Sequence, residues 1–124
     1  MNADARSQVA ADGCLFCSVV AGDVPADVVH SDDDFVAFRD IHPQAPVHVL
    51  VIPRDHFATA AELTAADPTA AGRLLEAATD VAELTGVAEA GYRIVLNTGP
   101  DGGQSVAHVH AHVLGGRQMG WPPG

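Results

Sequence analysis

The chain has 124 residues and a formal net charge of −10, with 16 acidic residues against 6 basic ones. This balance argues against nucleic-acid and acidic-membrane binding, which require a basic surface. No apolar stretch approaches the roughly 18 residues of a membrane helix, and the first residues lack the features of a signal peptide. We expect a cytoplasmic protein with a flexible tail over residues 1–11 and a single domain over residues 12–124.

Two helices are predicted. The first runs from Asp12 to Ala21, and Gly22 ends it. The second is long and runs from Pro68 to Leu84, with Asp67 as its N-cap. Apolar residues recur in the long helix at helical spacing and form its predicted buried stripe: Leu74, Leu75, Ala78, Val81 and Ala82.

Five strands are predicted from β-branched and alternating apolar residues. They are Val28–His30, Phe35–Arg39, Val47–Ile52, Tyr92–Asn97 and Val106–Leu114. In the third strand, alternation places His48, Leu50 and Ile52 on one face. The simplest arrangement is an α+β fold, in which one long helix and a short N-terminal helix cover an antiparallel sheet of about five strands.

The last predicted strand carries His108, His110 and His112 at every second position. Side chains alternate along a strand, so the three imidazoles would share one face. The small residues that flank and separate them would then pack into the core, namely Ala107, Val109, Ala111 and Val113. Histidine is suited to proton transfer, nucleophilic attack and metal binding. Neighbouring imidazoles, about 6.6 Å apart, could share one metal ion or one substrate group, but all three could not easily ligate one ion.

The two cysteines form a Cys14-x-x-Cys17 pair. A disulfide is disfavoured in a cytoplasmic protein, and a thioredoxin-type redox pair belongs in a different fold context. The pair could instead be half of a structural zinc site, which needs two further ligands. Two small buried residues in a helix are the remaining alternative.

Several motifs occur in a characteristic order. Gly-Gly-Gln-Ser-Val precedes the histidine row, and Gly-Gly-Arg-Gln-Met and Trp-Pro-Pro-Gly follow it; further matches lie in residues 38–48 and 51–56. From about residue 14 to the C-terminus the chain resembles the histidine triad (HIT) superfamily, and most closely its Hint branch of nucleoside phosphoramidate hydrolases. The resemblance implies the HIT fold and a homodimer.

The resemblance also implies a reaction: hydrolysis of the P–N bond of purine nucleoside 5′-phosphoramidates through a covalent nucleotidyl-histidine. His110, the middle histidine, would be the nucleophile. His112 would contact the phosphate and help to protonate the leaving amine. His48 would orient the nucleophile through a hydrogen bond, and Ser105 would contact phosphate oxygens or the leaving group.

Further positions match nucleotide-binding residues of the family. Gln104 would contact phosphate or the leaving group, Asn97 ribose or phosphate, and Asp40 the ribose hydroxyls. Trp121 belongs to a C-terminal tail that would reach the partner's active site. The apolar walls around the base would be Phe16, Phe38, Ile41 and Leu50.

The resemblance completes the zinc set as well, because certain bacterial HIT proteins carry zinc at positions that correspond to Cys14, Cys17, His56 and His108. The zinc would be structural and would leave His110 free. Two small residues, Ala107 and Gly120, depart from Hint relatives, which usually carry an aromatic residue and often a histidine there. Both lie on the implied leaving-group side, so the preferred amine stays open.

Three alternatives stay open. The chain could hydrolyse dinucleoside polyphosphates, or it could be a nucleotide-binding regulatory protein with incidental activity. It could also be a zinc-dependent hydrolase, in which the metal takes part in the reaction. If the substrate is a nucleotide, the net negative charge must be offset locally. Backbone N–H groups in residues 99–105 and a protonated imidazole could do this. His30 and His42 are assigned no function.

Overall fold

The computed structural model describes residues 13–124. Within these residues, one five-stranded antiparallel sheet, in the order β1-β2-β3-β5-β4, is accompanied by three helices. The strands are β1 Val28–Ser31, β2 Phe35–Arg39, β3 Val47–Pro53, β4 Tyr92–Val95 and β5 Ala111–Gly115. The helices are α1 Leu15–Ala21, α2 Ala60–Ala66 and α3 Pro68–Leu84. The predicted α+β class and strand number are confirmed. The predicted tail 1–11 and Asp12 lie outside the described residues, but the predicted helix start is too early, because α1 begins at Leu15 with Cys14 as its N-cap.

Helix α3 has the predicted bounds because its start carries strong signals. The Asp67 side chain accepts a hydrogen bond from the Ala70 N–H, and Pro68 occupies the first turn, where no N–H is needed. The predicted burial of Leu75 is wrong, since this side chain is 46% exposed and Ala77 takes its place facing the sheet. The rest of the stripe is buried and packs on β3 and β5 through Val49, Val51, Ala111 and Val113.

The opposite face of the sheet carries a second, smaller apolar cluster beneath α1. It consists of Phe16, Val36, Phe38, Leu50 and Ile52. The alternation predicted for β3 is confirmed, because Leu50 and Ile52 belong to this cluster while Val49 and Val51 face α3. No helix within residues 13–124 is long and apolar enough to cross a membrane.

The predicted strand Val106–Leu114 is wrong at its start, because β5 begins only at Ala111. Ala111 pairs with Val51 on β3, and continuing the same register would bring Val109 opposite Pro53. Proline has no N–H to donate, so the ladder stops there. Ala107 lies before the strand and is exposed, which corrects its predicted place in the core, whereas Val109 is buried as predicted.

Helix α2 is absent from the sequence prediction although its signal is present. The Thr59 side chain accepts a hydrogen bond from the Glu62 N–H at 3.1 Å, and the Glu62 carboxylate accepts one from the Ala58 N–H at 3.0 Å. This arrangement closely resembles a capping box. The strand predicted as Tyr92–Asn97 is also shorter than expected, since β4 ends at Val95, which pairs with His112.

Candidate active site

The segment before β5 is fixed by side chains and single hydrogen bonds instead of a strand ladder. The Val109 N–H donates to the Phe57 carbonyl at 2.7 Å, and the Gln104 amide donates to the Ala58 carbonyl at 2.6 Å. Nε2 of His108 lies 2.8 Å from the Pro53 carbonyl oxygen. These contacts hold His108 and His110 beside the end of β3 although neither residue belongs to the sheet.

His110 is buried, and its protonation pattern follows from one backbone contact. Its Nδ1 lies 2.8 Å from the His108 carbonyl oxygen, which can only accept a hydrogen bond. The proton of a neutral His110 therefore sits on Nδ1, and Nε2 keeps its lone pair. The same geometry corrects the predicted role of His48, since the group that orients His110 is the carbonyl of residue 108.

His48 and His112 are diagonal neighbours on β3 and β5 and form what we call the imidazole pair. The Gln44 N–H donates to Nδ1 of His48 at 3.0 Å, so the proton of neutral His48 sits on Nε2. Nε2 of His48 lies 2.9 Å from Nδ1 of His112 and donates to it. The proton of neutral His112 is thereby placed on Nε2.

Nε2 of His112 is a buried donor, and no hydrogen-bond partner reaches it from residues 13–124. Its ring centroid is 4.9 Å from that of His110. Burial, together with the neighbouring His110 and His48, lowers the pKa of His112 to about 4. Burial also lowers the pKa of His48, against the opposing effect of Asp40. At neutral pH, His112 is therefore an uncharged donor beside the lone pair of His110.

A cavity between α1 and the sheet opens onto His110 and His112. Its volume of about 320 Å³ is within the usual size range of ligand pockets. It is lined by eight predicted site residues: Phe16, Phe38, Asp40, Ile41, Leu50, Ser105, His110 and His112. His42, which was assigned no function, also lines the cavity. No local pattern marks His42, because its place depends on how α1 folds over the end of β2.

Four of the predicted catalytic and nucleotide-binding residues lie outside the walls of this cavity. His48 contacts His112 but does not line the cavity itself. The Gln104 amide is occupied within the chain, because it accepts from the Gly99 N–H and donates to two carbonyls. Its predicted contact to substrate does not match this geometry. Asn97 is half-buried, and Trp121 is 85% exposed in the C-terminal tail.

Asp40 combines a turn with a place on the cavity wall. Its Oδ1 accepts a hydrogen bond from the His42 N–H at 2.8 Å, which fixes the turn after β2. Its Oδ2 lies 3.5 Å from Nε2 of His48. The carboxylate is thus held rigidly beside the imidazole pair.

The structure limits the predicted local compensation of the negative charge in two respects. The N–H groups of Gly99, Gly103 and Gln104 are used in hydrogen bonds within their own loop. His112 is uncharged at neutral pH, so it supplies no cation in the ligand-free site. Neutral donors that line the cavity, the His112 N–H and the Ser105 hydroxyl, can contribute attraction for an anion.

The four predicted zinc ligands come together in what we call the sulfur cluster: Cys14, Cys17, His56 and His108. Nδ1 of His108 lies 3.4 Å from both sulfur atoms and 3.2 Å from Nδ1 of His56, which is 3.3 Å from the Cys17 sulfur. In tetrahedral zinc sites, ligand atoms are about 3.3 Å apart for two nitrogens and about 3.6 Å for nitrogen and sulfur.

The tautomer of His108 also suits a metal ligand. Its Nε2 donates to the Pro53 carbonyl, so the lone pair is on Nδ1 and points at the cluster. Burial lowers the pKa of His108 to about 4, which keeps the ring neutral at physiological pH. The donor set of two thiols and two imidazoles therefore fits a closed tetrahedral zinc site.

A second group of potential ligands, Asp40, His48 and His112, does not fit a metal. Nε2 of His48 and Nδ1 of His112 are 2.9 Å apart. Two nitrogen ligands of one tetrahedral zinc ion are farther apart, at about 3.3 Å. The contact is also consistent with an N–H donor on His48, because the Gln44 N–H occupies the other ring nitrogen. This group forms a chain of hydrogen bonds.

Comparison with known proteins agrees with the predicted HIT fold. A family model of the HIT domain matches residues 21–119. The chain is 44% identical over 110 residues to the purine nucleoside phosphoramidase of Escherichia coli strain K12, covering 89% of this chain and 92% of that protein. It is 48% identical over 112 residues to adenylylsulfatase HINT1 of Arabidopsis thaliana, covering 89% of this chain and 76% of that protein.

The structural comparison leads to the same family. The crystal structure of a HIT family hydrolase from Legionella pneumophila superposes with a TM-score of 0.87 at 48% sequence identity, covering 90% of this chain and 100% of that one. On the family match, the sequence identities and the shared fold, the chain belongs to the HIT domain family.

Proposed function

We propose that the protein is a nucleotide hydrolase that cleaves the P–N bond of purine nucleoside 5′-phosphoramidates through a covalent nucleotidyl-His110. The observation that carries this proposal is that Nε2 of His110 keeps a lone pair beside the N–H of His112, which no partner within residues 13–124 reaches. A nucleophile beside an oriented donor is what phosphoryl-group transfer requires. The E. coli relative is named for this activity.

In the first step, Nε2 of His110 attacks the α-phosphorus, and the bond between phosphorus and the leaving nitrogen breaks. The leaving amine takes up one proton, which water supplies. The developing charge on the phosphate oxygens is stabilised by the Nε2–H of His112, and the Ser105 hydroxyl is available to the leaving nitrogen. In the second step, water attacks phosphorus, the P–N bond to His110 breaks, and one proton is released with the nucleoside monophosphate.

The cavity accounts for the nucleoside part of the substrate. Its apolar walls offer a surface for a purine base, and Asp40 presents a carboxylate that can accept hydrogen bonds from neighbouring ribose hydroxyls. Trp121, exposed in the tail, and Asn97 would act only from outside this cavity. We assign Trp121 to the active site of the partner in a homodimer. A single dimeric species in analytical ultracentrifugation at micromolar concentration is the expected result.

Adenylyl sulfate is a second candidate substrate, favoured by the name of the Arabidopsis relative. The same attack by His110 would then expel sulfate in place of an amine. The net charge of −10 disfavours more strongly anionic leaving groups, including those of dinucleoside polyphosphates. We therefore expect a higher kcat/KM for the phosphoramidate than for either alternative.

The sulfur cluster is proposed to hold one structural zinc ion. Zinc would supply no chemistry at phosphorus, and its ligands would fasten α1 to the segment that carries His110. Elemental analysis of protein purified without chelators should find about one zinc per chain. A value well below one would remove zinc from this account.

The direct test of the proposed function is release of AMP from adenosine 5′-phosphoramidate in the presence of a chelator. The native protein should turn over, and His110→Ala should lose activity by on the order of 10⁴-fold or more. The matched control is His30→Ala. His30 lies on β1, pairs with Asp32 and does not line the cavity. Absence of turnover in the native protein, or full activity in His110→Ala, would overturn the proposal.

A further inference from the structure

Helix α1 is linked to the catalytic segment through its two cysteines. Cys14 caps the helix, its sulfur accepting a hydrogen bond from the Cys17 N–H, and the Cys14 sulfur also lies 3.4 Å from Nδ1 of His108. The Cys17 sulfur lies 3.4 Å from the same nitrogen and 3.3 Å from Nδ1 of His56. The start of α1 is therefore held directly against His108.

Phe16 lies between the two cysteines in sequence and points at the nucleophile. It is 5% exposed, and its ring meets the ring of His110 edge to face, with centroids 5.0 Å apart and planes at 90°. Phe16 also contacts the ring of Phe38 and lines the cavity beside His110. Edge-to-face contacts between rings are directional, so Phe16 restricts the orientation of the His110 imidazole.

His108 provides a second connection between the sulfur cluster and the nucleophile. Its Nδ1 belongs to the cluster, its Nε2 donates to the Pro53 carbonyl, and its own carbonyl oxygen accepts from Nδ1 of His110. A shift of His108 would therefore move the acceptor that sets the tautomer of His110. The cluster thus reaches the His110 ring from two sides, through Phe16 and through the backbone of residue 108.

We propose that Phe16 is a positioning residue for His110, and that metal binding at the sulfur cluster and nucleotide binding in the cavity favour each other through it. This inference rests on the proposed function, because it takes the cavity to be a nucleotide site. Phe16 does not react. It holds the His110 ring at the angle of attack and forms part of the wall against the nucleoside.

The physical reason is the short length of α1. A helix of seven residues is too short to be stable alone and depends on its packing and on its attachment at Cys14 and Cys17. A metal ion that draws the four ligands together would keep Phe16 in place, so the nucleotide would meet an already ordered wall. By linkage, the nucleotide must raise metal affinity by the same factor that metal raises nucleotide affinity.

The test measures the affinity of AMP by calorimetry for the zinc-loaded and for the metal-free protein. We expect AMP to bind about tenfold more tightly to the loaded form. Competition with a chromophoric chelator should show zinc binding tighter by the same factor when AMP is present. Equal AMP affinity in both forms would overturn the coupling and leave the proposed hydrolase intact. AMP binding in neither form would overturn the nucleotide site and this inference together.

Phe16→Leu tests the route. It keeps all four metal ligands and an apolar side chain, so zinc content should stay unchanged while the tenfold ratio of AMP affinities falls toward one. We also expect kcat to fall about tenfold through misorientation of His110, with a smaller change in KM. The matched control is Phe38→Leu, which removes a ring from the same apolar cluster but not from α1. It should weaken AMP binding yet keep the tenfold ratio.

Two results would overturn the role of Phe16. One is retention of the full ratio in Phe16→Leu with normal zinc content. The other is loss of the ratio to the same extent in Phe38→Leu, since that would make the coupling a general property of the apolar cluster. Thermal unfolding of both variants, followed by circular dichroism, checks that they are folded in each metal state.

Discussion

The sulfur cluster contains His108 and the imidazole pair contains His112, the two histidines that flank His110 in the sequence, and the two groups use histidine in different ways. In the sulfur cluster, ring nitrogens and sulfur atoms converge on one point at distances of 3.2–3.4 Å. In the imidazole pair, one ring donates to the other at 2.9 Å, and the lone pairs do not converge. The first arrangement suits a metal ion and the second suits a fixed chain of donors.

The difference lies in the backbone groups behind each ring. The Pro53 carbonyl takes the Nε2–H of His108 and turns its lone pair toward the cysteines. The Gln44 N–H occupies Nδ1 of His48 and turns its proton toward His112. Equivalent side chains at alternate positions therefore acquire different chemistry from the acceptor or donor that each one meets.

The largest predicted effect among variants that separate the two regions comes from breaking the imidazole pair. His48→Ala removes the donor that sets the tautomer of His112, and kcat should fall by roughly 10²-fold. Zinc content should stay unchanged. The measurement is steady-state turnover of adenosine 5′-phosphoramidate together with elemental analysis.

His48→Gln is the informative partner of that variant, because its amide N–H can still donate toward Nδ1 of His112. It should recover part of the lost kcat. If His48→Ala turns over at the native rate, the imidazole pair plays no part in the reaction.

Breaking the sulfur cluster should have the opposite pattern. His56→Ala removes one of four metal ligands, so bound zinc should fall well below one per chain and the melting temperature should drop by several degrees. We expect kcat to fall only about tenfold, through loosened attachment of α1. A variant with native zinc content and native melting temperature would show that the cluster is not a metal site.

The imidazole pair should also make stability depend on pH. The pKa of His112 is lowered from 6.5 to about 4 in the folded protein, so between these values the unfolded chain binds more protons. The free energy of unfolding should therefore rise as pH rises from 4 to 6.5. The stabilising contribution of neutral His112 is lost again as pH falls through the same window.

The measurement is urea unfolding of metal-free protein at several pH values. His112→Asn should show a flatter slope of unfolding free energy against pH than the native chain. His30→Asn, which removes a half-buried histidine on β1, serves as the control. Equal slopes for the native protein and His112→Asn would contradict the lowered pKa of His112.

The smallest predicted effect comes from the C-terminal tail. Nε of Arg117 donates to the Gln44 carbonyl at 3.1 Å, and the N–H of the same residue 44 donates to His48. Arg117→Ala removes two exposed hydrogen bonds, to the carbonyls of Gln44 and Gln118, so kcat should fall only about two- to fivefold. An effect as large as that of His48→Ala would mean that the tail contributes to the site by another route.

Much of the fold could be predicted from the sequence because its signals are local. The N-cap at Asp67, the proline after it and the alternation in Val47–Pro53 each act within a few residues. The start of β5 could not be predicted in the same way. It depends on Pro53, which is distant in the sequence and ends the hydrogen-bond ladder from the adjacent strand β3.

The candidate site shows the same division. The residues that come together at the cavity and at the sulfur cluster follow from the family resemblance. Their hydrogen-bond partners do not, since a carbonyl at residue 108 and an N–H at residue 44 have no sequence signature. The contact of Gln104 with its own loop and the place of His42 on the cavity wall are likewise set by tertiary packing.

The central claim is that Nε2 of His110 attacks phosphorus, and the most direct measurement is identification of the covalent adduct. Native protein mixed with adenosine 5′-phosphoramidate, quenched rapidly and digested with trypsin, would be examined by mass spectrometry. We expect one adenylyl group on the peptide of residues 94–117, and fragmentation should place it on His110. An adduct on His108 or His112 instead, or rapid turnover with no adduct at any quench time, would contradict it.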